Sequence, residues 1–213
     1  MQRNSGNISI FLAIFMILLS VDGSTQQMDT SYYENGDIKA YGIVKNGQKH
    51  GRWKSFYING NLSGQFNYLK GMLDSLQLYY YPDESLMAIE NWSKDLLEDS
   101  AIYYYQNGNL EKQGVFRNGL YEGSWIFYYE TGVKKRIGHY KEGIPEGNWT
   151  FFHENGNLWQ QGAFKQGKEH GQWQFYSEKG VLKYSGNYNM GVEKGQWYKY
   201  RNGTKRKKWK FYH

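Results

Sequence analysis

Three consecutive stretches decide the fold: YQNGNLEKQGVFRNGLYEGSWIFY (105–128), YETGVKKRIGHYKEGIPEGNWTFF (129–152) and HENGNLWQQGAFKQGKEHGQWQFY (153–176). They are copies of one 24-residue unit. Tyr33, Tyr57, Tyr81, Tyr105, Tyr129, His153 and Ser177 each open a copy, almost without insertion or deletion. A fixed period of this length marks a repeat array, in which each unit packs on its neighbours.

Each copy carries two turn signals. Near its start stands Asn-Gly or a similar pair: Asn35-Gly36, Asn59-Gly60, Asn107-Gly108, Thr131-Gly132, Asn155-Gly156, Lys179-Gly180. A second pair follows about eleven residues later, at Asn46-Gly47, Lys70-Gly71, Asn118-Gly119, Glu142-Gly143, Gln166-Gly167 and Met190-Gly191. Such pairs between aromatic-rich segments signal hairpins, because both positions tolerate positive φ. Two turns per copy give two strands per copy, about 15 strands in an antiparallel meander roughly 70 Å long at ~4.8 Å per strand.

Treating Thr131-Gly132 as a two-residue turn sets Trp125 opposite Gly138 and Gly123 opposite Tyr140. The same rule sets Trp149 opposite Gly162, Gly147 opposite Phe164, Trp173 opposite Gly186 and Gly171 opposite Tyr188. Each large ring is then expected over a glycine across its hairpin, the pairing that pins register in sheets. Leu110, Leu158 and Leu182 fall on this face. The opposite face carries the column Phe56, Tyr80, Tyr104, Tyr128, Phe152, Tyr176 and Tyr200. The Trp/Gly face reads as packed. The tyrosine face reads as amphipathic, since a Tyr ring has an apolar body and a polar tip.

Composition agrees. Of 213 residues, 19% are aromatic, 26 are Gly, only 2 are Pro and none is Cys, which fits short strands and tight turns. Without cysteine there is no disulfide framework, cysteine-ligated zinc or thiol nucleophile. Residues 1–23 differ: Arg3 precedes the apolar run Ile8–Leu19, with Ser20, Gly23 and Ser24 after it. This reads as a signal peptide helix, the alternative being an uncleaved N-terminal anchor. Residues 24–32 then form a connector, and 33–213 hold seven full copies and a partial eighth. A secreted or periplasmic location follows.

The net charge of +6 is unevenly spread. The third copy sets six acids (Asp83, Glu84, Glu90, Asp95, Glu98, Asp99) against Lys94, whereas the tail holds Arg201, Lys205, Arg206, Lys207, Lys208 and Lys210 without an acid. Charge so local gives no basis for nucleic-acid binding. The third copy also replaces its Asn-Gly turn with Pro82-Asp83-Glu84, and Gln77 and Ala101 stand where Trp is expected. One reading is an acidic partner contact on which the basic tail docks, within a chain or between chains.

The pattern NG-x-L … G-x-[FY]-x-x-G … G-x-W-x-x-[FY], carried in one copy by Asn107, Gly108, Gly119, Gly123, Trp125 and Tyr128, resembles the MORN-repeat-variant family. Its bacterial members include antitoxin-like proteins of the YwqK type. The resemblance covers residues 33–213. It implies an elongated, curved sheet of stacked hairpins, partner binding and, in some MORN proteins, association with membrane lipid. Cell-wall-binding repeats are also similar, through Tyr103-Tyr104-Tyr105, Trp125 with Tyr128-Tyr129, and Trp197-Tyr198.

Nothing points to catalysis, a metal or a cofactor. His50 and His170 sit beside turn glycines, and His139, His153 and His213 lie in no H-x-x-x-H or H-E-x-x-H setting. The Asn-x-Ser/Thr matches at Asn61, Asn91, Asn148 and Asn202 follow from an Asn-rich repeat. The expected function is a non-catalytic scaffold that binds a protein partner outside the cytoplasm. The alternatives are an envelope-binding module, or a cytoplasmic antitoxin-like protein if the leader is not a signal. Candidate binding residues are Tyr104, Tyr128, Phe152, Tyr176 and Tyr200, whose rings suit glycan or choline-like groups. Lys205, Arg206, Lys207 and Lys208 suit anionic lipid. Trp125, Gly138, Trp149, Gly162, Trp173 and Gly186 are expected to be structural.

Overall fold

The computed structural model describes residues 25–201 and 204–207. The leader (1–23) and Lys208 lie outside them. The described chain is one 17-stranded antiparallel sheet with no helix. The strands are β1 (Gln26–Tyr32), β2 (Ile38–Lys45), β3 (Gln48–Phe56), β4 (Leu62–Leu69), the short β5 (Met72–Leu73), β6 (Ser75–Tyr80), β7 (Leu86–Ser93), β8 (Leu96–Tyr104) and β9 (Leu110–Arg117). They continue as β10 (Leu120–Tyr128), β11 (Lys134–Lys141), β12 (Ile144–Phe152), β13 (Leu158–Lys165), β14 (Lys168–Tyr176), β15 (Leu182–Asn189), β16 (Val192–Arg201) and β17 (Thr204–Lys207). Each pairs with its neighbour in sequence, β4 pairing with both β5 and β6. The expected connector carries β1, which pairs with β2 and starts the array half a copy early.

The two turn classes differ. At the second pair both residues are left-handed, for example Glu142 (φ 51) and Gly143 (φ 78), with Lys141 directly opposite Ile144. This is the tight two-residue hairpin, and it accepts Lys, Glu, Gln or Met at a position that costs an L-residue about 1–2 kcal/mol. The Asn-Gly pair is not such a turn. The Gly132 N–H donates to the Tyr129 carbonyl (2.9 Å), the Tyr129 N–H donates to the Val133 carbonyl (2.8 Å), and only Gly132 is left-handed (φ 85). This three-residue loop is followed by a bulge, since Phe127 pairs with Arg136 but Tyr128 with Lys134. The asparagine is used for its amide, not its φ. Asn107 Oδ1 accepts the Asn109 N–H (2.9 Å), and Asn107 Nδ2 donates to the Glu130 carbonyl of the next copy (2.9 Å).

The bulge restores, away from the turn, the register that a two-residue turn gives: Trp125 opposite Gly138, Gly123 opposite Tyr140, Trp149 opposite Gly162 and Trp173 opposite Gly186. Next to the turn it moves one residue across. Leu110, Leu158 and Leu182 pair with Tyr104, Phe152 and Tyr176, so they belong to the tyrosine face, contrary to expectation.

Trp125, Trp149 and Trp173 nevertheless cover not the glycine opposite them in their own hairpin but the one on the strand before. A Cβ on Gly114 would fall within the Trp125 ring, and the same holds for Gly138 under Trp149, Gly162 under Trp173 and Gly186 under Trp197. The indole leans back onto the preceding strand, eleven residues upstream. The cause is a second bulge at the left-handed Gly123 (φ 68), where Glu122 pairs with Val115 but Ile126 with Gln113. The opened ladder frees the Val115 carbonyl, to which Trp125 Nε1 donates at 3.0 Å; Trp149 donates likewise to His139 and Trp173 to Ala163. A buried indole N–H needs such a partner. These tryptophans are the core: Trp125 is fully buried, grouped with Phe116, Phe127, Tyr140 and Trp149.

Candidate binding surface

On the tyrosine face, Tyr104, Tyr128, Phe152, Tyr176 and Tyr200 are all half-buried. Tyr176 OH donates to Gln174 Oε1 (3.1 Å), and Tyr200 OH lies 3.1 Å from Ser185 Oγ. The backbone carbonyls of Tyr104, Tyr128 and Phe152 accept the hydroxyls of the copy openers Tyr81, Tyr105 and Tyr129 at 2.8–2.9 Å, and His153 takes the opener's place beside Tyr176. The openers are thus cross-copy struts.

Lys205, Arg206 and Lys207 lie exposed on β17, which among the described residues pairs with β16 alone. Lys205 Nζ sits 3.7 Å above the Tyr198 ring. At the edge of the described sheet such lysines discourage further strand addition, which is a structural use for them. The basic strand and the acidic copy do not meet within one chain: nine strand steps separate β8 from β17, roughly 40 Å.

The acidic copy has a largely structural account. Asp95 and Asp99 (both φ 65) occupy left-handed positions that are glycine in most other copies, and Asp is among the best replacements there. Asp83 caps its turn: it accepts from Ser85 Oγ (2.6 Å), Gln106 Nε2 (2.8 Å) and the Ser85 N–H (3.0 Å), which together hold its pKa down at about 2. Glu98 accepts the Asn118 N–H (2.7 Å), as Glu122 and Glu146 do with the Glu142 and Gln166 N–H groups in later copies.

Glu90 is different, being only 8% exposed. It accepts from Trp92 Nε1 (2.9 Å) and Tyr103 OH (2.7 Å). Burial first, then the bond and charge of Glu90, push the Tyr103 hydroxyl's pKa up. Glu90 stands where other copies have the covered glycine, and its direct partner is Ala101, where they have tryptophan. One copy earlier the same exchange reads Phe66 and Gln77. Gln77 is fully buried, its Nε2 donating to the carbonyls of Asp74 (3.0 Å), Asn67 (3.1 Å) and Ser75 (3.2 Å). In both rungs the later position has lost its tryptophan ring and the earlier one has gained bulk.

On the Trp/Gly face, a second row of directly paired side chains runs beside the tryptophans: Tyr103, Lys112, Phe127, Arg136 and Phe151 on β8 to β12. Lys112 Nζ lies 4.3 Å above the Tyr103 ring and the Arg136 guanidinium 4.0 Å above Phe127. Beside Phe151 stands Trp159, 44% exposed, its ring centroid 6.3 Å away and nearly perpendicular. Sequence reasoning passed over Trp159. The signal was there: the equivalent positions hold Lys39, Ser63, Met87, Glu111, Lys135 and Lys183.

The described residues form an open, single-layer array of β-hairpins. The model of the MORN repeat variant matches residues 49–70, 100–118, 121–142, 145–166 and 169–190, and the chain belongs to this family. The unmatched stretch 71–99 holds Gln77 and Glu90. Among functionally curated proteins none matches this chain. Two similar solved structures are the TcdB2-TccC3-Cdc42 complex (11% identity, 82% of this chain, TM-score 0.20) and a porin-like protein from Bacteroides uniformis ATCC 8492 (8% identity, 89% of this chain and 91% of that one, TM-score 0.20). This chain spans 13% of the first of these.

Proposed function

We propose that this chain is a non-catalytic scaffold that binds a protein partner outside the cytoplasm. The observation that carries the reading is continuity. On the tyrosine face one row of directly paired side chains passes from Tyr41 through Leu78, Ile102, Ile126, Thr150 and Gln174 to Tyr198 and Lys207. The row of the other face is equally unbroken. Two such faces suit recognition by many modest contacts over a long surface. The leader read in residues 1–23 supports export, and export argues against an antitoxin-like role in the cytoplasm.

Crosslinking the full chain in intact cells, with mass spectrometry of the product, tests this. A specific protein adduct, reproduced with purified components outside the cytoplasm, supports it. A chain that captures no protein and instead pellets with anionic vesicles in a salt-sensitive way contradicts it in favour of an envelope module.

A further inference from the structure

Lys112 and Arg136 share one strip of the Trp/Gly face, on either side of the buried Phe127. Both are half-buried, and among the described residues neither has a carboxylate within ion-pair distance. Beyond the Tyr103 and Tyr121 rings, Lys112 Nζ meets a neutral oxygen, Tyr121 OH at 3.2 Å, and Arg136 Nε is a buried donor with no acceptor. Partly desolvated charges left unpaired are costly, and an orphaned buried donor calls for an explanation. The fold does not demand these cations, because the same position is Ala40, Gly64, Ala88, Gln160 and Tyr184 in other copies. At the end of the strip stands Trp159. An exposed Trp, an aromatic platform and an unpaired Arg are the residue types that dominate binding hot spots.

We propose that Lys112, Arg136, Phe151 and Trp159 form the docking strip for an extended acidic segment of the partner protein. Lys112 and Arg136 lie two strands apart, roughly 10 Å. Acidic residues three apart in an extended polyproline-like segment repeat on one side every ~9 Å, which matches that spacing. One carboxylate meets the Arg136 fork, the other meets Lys112, and an apolar side chain beside the first packs on Trp159 and Phe151. The proposal rests on the protein-binding reading above and adds to it the site and the partner's charge.

The test titrates the full chain with a synthetic heptapeptide bearing two glutamates three residues apart and a phenylalanine beside one of them. Controls are the peptide with lysines for glutamates and one with the glutamates adjacent. The expected result is salt-sensitive binding of the first peptide, weakened at least tenfold by Arg136→Gln and several-fold by Lys112→Gln or Trp159→Ser, and unchanged by Lys205→Gln. Trp159 is exposed, so Trp159→Ser carries the test if Arg136→Gln perturbs the fold. No binding of the first peptide, equal binding of the lysine peptide, or indifference to Trp159→Ser overturns the strip. A crosslinked partner that maps to the tyrosine face removes this site and leaves the scaffold reading standing; capture of no protein removes both.

Discussion

The stretches β9–β16 and β4–β8 build the same sheet with opposite rungs. In the first, a tryptophan lies flat over the glycine eleven residues before it, and the indole N–H groups of Trp125, Trp149 and Trp173 are bonded at the bulge. In the second, the ring is gone and the earlier position has grown instead, Phe66 before Gln77 and Glu90 before Ala101. What the array requires is thus a filled rung and a partner for the carbonyls and donors that the bulge exposes. Tryptophan and glycine are one way to meet that requirement.

The comparison breaks most visibly in the regular half. Trp149→Ala empties a rung and leaves the His139 carbonyl without its donor. The expected loss is about 3–5 kcal/mol in urea unfolding. Gly138→Ala, at a position with ordinary φ, costs about 1–3 kcal/mol because the new methyl meets the Trp149 ring. Gly108→Ala (φ 84), with open space around it, costs only the left-handed penalty of about 1–2 kcal/mol.

In the irregular half the expected effect is polar. Glu90→Ala removes the acceptor of Trp92 and Tyr103 and costs about 1–3 kcal/mol. The same variant brings the pH at which Tyr103 ionises down toward that of an ordinary tyrosine, read by difference absorbance. Smaller still, Tyr129→Phe deletes the hydroxyl bonded to the Phe152 carbonyl and costs about 1 kcal/mol, and Tyr81→Phe costs about as much. That equality in melting experiments would show that the struts are indifferent to the type of rung. The smallest effect is at Asp83. Its pKa is lowered, so its stabilising turn is intact above the unfolded carboxylate's pKa of ~3.9 and is lost as pH falls through about 2. An NMR titration of the Asp83 carboxyl reads this directly, and Asp83→Asn, which keeps an acceptor for the Ser85 N–H, removes the acid step.

The period, the two strands per copy and the pairing of Gly123 with Tyr140 were legible in the sequence, because turn residues and alternation fix register. Which pair makes the tight turn was not. Asn-Gly carries the stronger propensity, but Asn107 is held by its side-chain amide, while Glu142 and Lys70 are forced into left-handed geometry by the sheet. The direction of the rings was also hidden, since opposition of Cα atoms does not state which neighbour an indole covers once a bulge tilts its strand. For that reason Gln77 and Ala101 stood out in the sequence while the matching changes at Phe66 and Glu90 did not. The acidic copy drew attention by its charge, yet its acids mostly serve turns; the unpaired Lys112 and Arg136 sat in copies that looked regular.

The most direct measurement is a double-mutant cycle on Glu90→Gly and Ala101→Trp, read by equilibrium unfolding with near-UV circular dichroism. Ala101→Trp alone is expected to be destabilising because its ring has no glycine to cover, and adding Glu90→Gly is expected to rebuild the regular rung with a favourable coupling of about 1–3 kcal/mol. Additive effects, with no coupling between residues 90 and 101, would contradict it.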